Sequence, residues 1–207
     1  MDLASFVLAQ LPPAPARVLE VGCGKGSLAR ALAGAGHDVT AIDPEAPEGP
    51  IFRRVALEDF AEPGPFDAVV ASRSLHHLPD LAEAIDRIAT LLRTSGVLVL
   101  SDFAKERLEG PTAEWYYRQR LALAAAGGKE APRSFDACLT EEHAEIHGFE
   151  DMRREVDRRC SERFFAWVPY LHEELKGAVS EELERSLIDA GAIQATGFLY
   201  VGETAAA

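Results

Sequence analysis

The chain has 207 residues, 47% of them hydrophobic and 27% charged, with a formal net charge of -13 at pH 7. That length suits one domain with a proper core, and acids outnumber bases in both halves, 16 to 10 in residues 1–110 and 18 to 11 in 111–207, so no nucleic acid partner is expected. No apolar run approaches the roughly 18 residues of a membrane span, no basic segment leads into an apolar one after Met1-Asp2, and three cysteines form no metal-like pair, which together predict a soluble cytoplasmic protein with no membrane partner and no bound metal.

In chain order, Leu3, Phe6, Val7 and Leu11 share one face of a short leading helix that stops at Pro12-Pro13. Arg17 to Val21 reads as the first strand, Ser27 to Ala35 as a helix stopped by Gly36, and His37 to Ile42 as the second strand. A proline-rich loop from Pro44 to Pro50 precedes a third strand over Ile51 to Val55, and Phe66 to Ala71 is a buried fourth strand. From Asp80, Leu81, Ile85, Ile88, Ala89 and Leu92 make one apolar stripe, the helix ends at Ser95-Gly96, and Val97 to Leu100 is the fifth strand. This alternation predicts a parallel, doubly wound sheet.

The second half breaks that rhythm. Trp115, Tyr116, Tyr117, Arg118 and Arg120 lie in a helical stretch, Thr140 caps a helix running through His147, and Phe149 to Cys160 reads as a strand. Phe164 to Leu175 and Ser180 to Ala190 read as helices, the second capped by Ser180 with Leu183, Leu187 and Ile188 facing inward, and Ile193 to Val201 is the closing strand. Arg153, Arg154, Arg158, Arg159 and Arg163 form the one basic cluster, but Glu155, Asp157 and Glu162 interleave with it. A solvated strand and its flank explain it more simply than a phosphate or carboxylate site.

The decapeptide Val18-Leu19-Glu20-Val21-Gly22-Cys23-Gly24-Lys25-Gly26-Ser27 carries the most chemistry. It is a buried strand ending in an acid, then glycines at alternate positions, then a helix start. Glycines let backbone approach a ligand, and a helix N-terminus offers N–H groups to an anion. The spacing fits neither a dinucleotide fingerprint nor a Walker loop, because Ser27 stands where the third dinucleotide glycine belongs and Lys25 lies between two glycines. A plain strand-to-helix turn is the bland alternative.

The run Glu20 to Gly26 resembles motif I of the class I S-adenosylmethionine (SAM) dependent methyltransferases. Residues Pro65 to Ser72 are similar to that family's fourth strand, Leu75-His76-His77-Leu78-Pro79-Asp80 to the loop after it, and Leu91 to Leu100 to the entry into strand five. The likeness runs from about residue 14 to residue 103, more loosely to the C-terminus, and the double histidine is frequent in the small-molecule branch. The resemblance implies an α/β fold: a doubly wound, Rossmann-like, seven-stranded mixed sheet with helices on both faces and a helical lid. It implies one domain over 1–207, with a SAM-binding core at 14–103, a cap formed by 1–12 and about 104–140, and C-terminal helices and the last two strands in 141–203.

It also implies roles. SAM has one anion, its methionine carboxylate, and two cations, so a glycine turn suits the former and an acid the latter. Glu20, Gly22, Cys23 and Gly24 would hold the methionine end with Gly26 shaping the turn, and Asp43, about two dozen residues after Glu20, would accept the ribose hydroxyls. Ser72 would approach the methionine amino group. The adenine position departs from the family pattern, leaving Leu57 and Glu58 as its candidates. S-adenosylhomocysteine (SAH) would be the product and a small molecule the acceptor.

Methyl transfer from sulfonium needs alignment and desolvation more than acid catalysis, and a base only where the acceptor arrives protonated. His77 is the first candidate for that base and His76 the second. The alternative is that either ring packs in its loop. Trp115 and Tyr116 are candidates for acceptor contact, on a segment from Pro111 to Thr140 expected to form a mobile cover with the leading helix. Otherwise its aromatics fill a core under a static helix pair. Rivals to an enzyme of this kind are a catalytically silent SAM-binding module acting as sensor or partner subunit, a nicotinamide oxidoreductase, which the glycine spacing disfavours, and a nucleic-acid methyltransferase, which the acidic charge disfavours.

Overall fold

A computed structural model describes residues 2–128, 130–143, 146–175 and 178–204. Its centre is one seven-stranded mixed sheet in the order β3-β2-β1-β4-β5-β7-β6, made of β1 (Arg17–Val21), β2 (Asp38–Asp43), β3 (Phe52–Arg54), β4 (Phe66–Ser72), β5 (Leu92–Phe103), β6 (Cys160–Val168) and β7 (Gly197–Thr204). β1 lies parallel to β2 and β4, and β4 parallel to β5. Val18, Leu19, Glu20 and Val21 are all buried, as befits a central parallel strand covered on both faces.

Helix α1 (Leu3–Gln10) begins where the Asp2 carboxylate accepts the Ser5 N–H at 3.1 Å. Helix α2 (Ser27–Gly34) buries Leu28, Ala29 and Leu32, and α3 (Leu81–Leu91) buries Leu81, Ala84, Ile85, Ile88 and Leu91 along one stripe. Asp80 caps α3 by accepting the Glu83 N–H at 2.9 Å.

The structure corrects the expected end of α3. The chain turns extended at Leu92, and the residues read as the last helical turn form a bulge in β5: Phe66 faces Leu92 but Ala68 faces Val97, so five residues of β5 span two of β4. Ser95 adopts φ +57°, and Thr204 Oγ1 accepts the Gly96 N–H at 3.1 Å while donating to the Arg93 carbonyl at 2.8 Å. This local bonding replaces the ladder that the bulge interrupts.

Four more expectations fail. Residues Phe149–Asp157 form helix α6, not a strand, because Met152 and Val156 make a buried i,i+4 pair and Arg153–Asp157 and Asp151–Arg154 bridge at helical spacing; the strand is β6, so Phe164 to Val168 is extended rather than helical. Thr140 lies inside helix α5 (Phe135–His143), where its hydroxyl donates to the Asp136 carbonyl at 2.9 Å, and Ser134 is the cap, accepting the Ala137 N–H at 3.0 Å. Part of the helix expected from Thr140 to His147 lies outside the described residues. In α8 (Glu181–Asp189), Ser180 is the cap as expected, but Leu183 is 51% exposed and Glu184 takes the buried position.

The chain divides into two compact units, 1–102 with 150–165 and 199–207, and 103–149 with 166–198. In the second, Tyr116 of helix α4 (Gly110–Ala125) packs among Phe103, Leu108, Cys138, Leu171 and Leu175. Its hydroxyl donates to Glu142 at 2.7 Å, and the buried Arg120 reaches the same carboxylate at 2.9 Å.

Glu184 explains why an acid displaced the expected leucine. Fully buried, it accepts the N–H groups of Tyr170, Leu171 and His172 at 2.9, 3.0 and 2.8 Å and pairs with His172 Nδ1 at 2.8 Å, tying α8 to the start of α7 (Leu171–Glu174). Burial pushes the Glu184 carboxyl up, but the bonds from His172 and the three amides outweigh it and hold it below its ordinary value. The hydrogen bond to Glu184 raises His172. Glu184→Ala strands those donors and should cost about 3–5 kcal/mol in urea unfolding. The His172 share is complete below its ordinary pKa of 6.5 and fades as pH rises through the raised value, while the Glu184 share is complete above 4.5 and fades as pH falls. The stability lost in Glu184→Gln should therefore peak between pH 4.5 and 6.5; a pH-independent loss would contradict the pairing.

Candidate functional site

Parallel strands finish at one edge of a sheet, so Val21, Asp43, Ser72 and Asp102 gather at the carboxyl ends of β1, β2, β4 and β5. The order β3-β2-β1-β4-β5 reverses between β1 and β4, and in open α/β sheets the crevice at such a reversal is where ligands bind. The glycine loop leaves β1 at this point.

The loop's shape follows from its anchors. The N–H groups of Gly22 and Cys23 both donate to the Ile42 carbonyl, at 2.9 and 3.1 Å, and Gly26 N–H donates to the Cys23 carbonyl at 2.8 Å. To fold back so tightly, Gly22, Gly24 and Gly26 take φ of +74°, +48° and +75°, a region costly for residues with a Cβ. Space separates the three. A Cβ on Gly22 would lie 2.3 Å from Ser74 Cβ and one on Gly26 would lie 2.4 Å from the Phe52 ring, but one on Gly24 would meet nothing within 4 Å. Gly22 and Gly26 are closed against protein, and Gly24 faces open space.

Asp43 holds that open face in place. Its carboxylate accepts the Gly24 N–H at 2.9 Å and the Glu45 N–H at 2.8 Å, one bond per oxygen, which leaves acceptor capacity on both. Glu20, one residue before the end of β1, is 3% exposed and its Oε2 is buried without a hydrogen-bond partner. Burial, countered by the Ala29 N–H and Arg30 and reinforced by Asp43, pushes its carboxyl up to about 7. Burial and the two acids likewise push the Cys23 thiol up to about 12. The thiol is no nucleophile at neutral pH.

On the other wall, Arg73 follows Ser72 with φ +54° and donates its N–H to the Ser101 carbonyl at 2.8 Å, and the Ser74 hydroxyl donates to the Val21 carbonyl at 2.9 Å. Ser74 had no signal in the sequence. Its role depends on its fit against Gly22, which no spacing rule reveals. Leu75–His77 then form a 3-10 turn. His76 is buried and its Nδ1 pairs with Asp102, whose other oxygen accepts the Leu75 N–H at 3.0 Å; Asp102 too is fully buried. His77 is exposed, with its ring 4.0 Å from that of His76. Sequence reasoning ranked His77 first and overlooked Asp102, 26 residues away from His76.

Leu57 is buried and Glu58 exposed in the turn after β3. The sheet edge thus gathers Glu20, the three glycines, Cys23, Asp43, Ser72 and both histidines, whereas Trp115 and Tyr116 belong to the second unit. Trp115 is half-buried and Tyr116 has no exposed surface. The arginine cluster is paired on site: Arg153 with Asp157 and Glu162, Arg154 with Asp151, Arg158 with Glu155, Arg159 with Asp86 and Arg163 with Glu203.

Among known proteins, a family model described as a methyltransferase domain matches residues 2–150. The chain belongs to the methyltransferase-domain family. A ubiquinone biosynthesis O-methyltransferase from Xylella fastidiosa is 40% identical over 111 residues, covering 46% of this chain and 45% of that protein. The chain therefore spans less than half the length of this curated relative. Solved structures show the fold over nearly the whole chain: a SAM-dependent methyltransferase from Mesorhizobium loti has a TM-score of 0.63 at 16% identity, covering 96% of both chains, and the N-methyltransferase NodS from Bradyrhizobium japonicum WM9 in complex with SAH has 0.57 at 15%, covering 97% of this chain and 85% of that one. Among the described residues no helix is long and apolar enough to cross a membrane.

The donor set suits SAM. A buried carboxyl with one unpartnered oxygen and an open glycine face at one strand end fit a ligand with a cationic amino-acid end better than a pyrophosphate, which two acids would repel. Packing also ranks the glycines. Gly22→Ala should lose about 2–4 kcal/mol, from overpacking against Ser74 and the left-handed backbone, while Gly24→Ala should lose only about 1 kcal/mol. Thermal unfolding of both, and of Gly22→Ala with Ser74→Gly, checks this; the added change should restore part of the loss. Equal losses at 22 and 24 would contradict the packing.

Proposed function

We propose that this methyltransferase transfers the methyl group of SAM to a hydroxyl of a small-molecule acceptor. The observation that carries the cofactor half is the unpartnered Oε2 of the buried Glu20 carboxyl, at the strand end from which the loop with the open face of Gly24 departs. The acceptor half rests on the O-methyltransferase relative and on the net charge of -13, which with the self-paired arginine cluster disfavours a nucleic-acid substrate.

When bound, SAM supplies an electrophilic methyl on a sulfonium. Glu20 faces its cationic amino-acid end, and Gly22, Cys23, Gly24 and Gly26 bring backbone close to it. Asp43 keeps acceptor capacity for the ribose hydroxyls, Leu57 and Glu58 serve the adenine, and Ser72 the amino group. A hydroxyl must lose its proton as it is methylated, and the histidines are the bases for that step. The hydrogen bond of His76 to Asp102 favours the tautomer with its proton on Nδ1 and so leaves Nε2 able to accept, while His77 offers the more exposed ring. Of the two aromatics proposed to contact the acceptor, Trp115 keeps exposed surface and comes first.

SAH and SAM should bind in calorimetry and NADH should not. A panel of hydroxylated aromatic acids, assayed by SAH release, should include a substrate whose turnover falls about 10²-fold in His76→Ala or His77→Ala at unchanged SAH affinity. Turnover of amines alone would overturn the hydroxyl assignment. SAH binding without turnover of any acceptor would make the chain a silent binding module.

A further inference from the structure

We propose that binding of the cofactor's amino-acid end expels a proton from Glu20, so that the free protein keeps this carboxyl neutral and the loaded one ionises it. The inference rests on the cofactor site just described and adds to it a coupling between occupancy and protonation.

The geometry argues for it from the free state. A carboxyl 3% exposed, with one oxygen lacking any hydrogen-bond partner, has lost its hydration with only partial compensation, and a buried ion in that position neutralises instead. The charged and titratable groups around it do not supply the missing partner. From α2 come the Ala29 N–H and Arg30, both favouring the anion; from β2 comes Asp43, opposing it; and from the glycine loop comes the Cys23 thiol, which stays protonated. Arg30 is otherwise engaged, bonding to the Lys25 carbonyl and lying over the Phe52 ring at 5.5 Å. Burial wins, and the carboxyl is pushed up to about 7.

An ammonium brought against this group reverses the balance, because an opposite charge within a few ångströms favours the ionised acid. The O–H bond of the carboxyl breaks, the electron pair stays on the oxygen, and the proton passes to solvent buffer. The sign follows directly. Ligand binding requires the anion, so affinity is full above the free-state value near 7 and falls as pH drops below it, by about 10-fold between pH 8 and pH 6.

Calorimetry of the full chain at pH 6.5, in buffers of low and high ionisation enthalpy, counts the protons. SAH should release about three-quarters of a proton, the fraction of Glu20 protonated at that pH. The control probe is 5′-methylthioadenosine, which has the same nucleoside but no amino-acid end, and it should release almost none. Glu20→Gln should release none with either ligand. No release with SAH, equal release with both probes, or undiminished release from Glu20→Gln would overturn the inference. The comparison of probes on the unaltered protein stands even if that variant fails to fold. If SAH does not bind the unaltered protein, the cofactor-site reading falls and takes the inference with it, a failure distinct from binding without proton release.

Discussion

The Ile42 carbonyl accepts two successive N–H groups, from Gly22 and Cys23, and the site depends on that one acceptor. It extends the β1–β2 pairing one step past Val21 and at the same moment ends it, because two donors on one oxygen cannot continue a strand. The chain must turn back on itself, which places Gly22, Gly24 and Gly26 in left-handed backbone, where a Cβ is costly. The turn then brings the Gly24 N–H to Asp43 at the end of β2, and Ser74 from the loop after β4 fills the space against Gly22. Three strands are thereby fixed to each other at the point where the sheet order reverses.

Electrostatics sorts the charged residues into two kinds. The arginines of α6 and β6 and their acids neutralise each other at the surface, where such pairs contribute little stability and no ligand site. One oxygen of Glu20 does not find a partner, and the nearby Asp43 makes its ionisation harder. The paired acids of the second unit are the opposite case: the buried Glu184 is saturated by four donors, and the half-buried Glu142 is shared by Tyr116 and Arg120. Saturated buried acids hold structure together, whereas an unsaturated one at a strand end is poised for a ligand.

That distinction also explains what could be read from the sequence. Strand–helix alternation over the first hundred residues depends on local periodicity, and β1, α2, β4 and α3 begin where the pattern places them, with β2 one residue later. The spaced glycines were legible because left-handed backbone favours glycine, and Asp43 because it ends the second strand of the alternation. The errors lie where distant contacts override local pattern. Residues 92–96 leave helix for a bulge bonded to Thr204, over a hundred positions away, and Glu184 replaces Leu183 inside because α7 presents three amides to it. The charged surface of α6 hid its Met152–Val156 pair. The His76–Asp102 and Ser74–Gly22 contacts join segments whose proximity only the folded sheet creates.

The central claim is that the reversal between β1 and β4 is built to receive the amino-acid end of SAM, with Gly24 as its open face. Amide chemical-shift mapping on ¹⁵N-labelled protein titrated with SAH tests it most directly. The account predicts the largest shifts at Gly22, Gly24, Gly26, Glu45 and Ser74, with the amides of the Arg153–Arg163 segment unmoved. Shifts centred on that arginine segment, with the glycine loop unmoved, would contradict it.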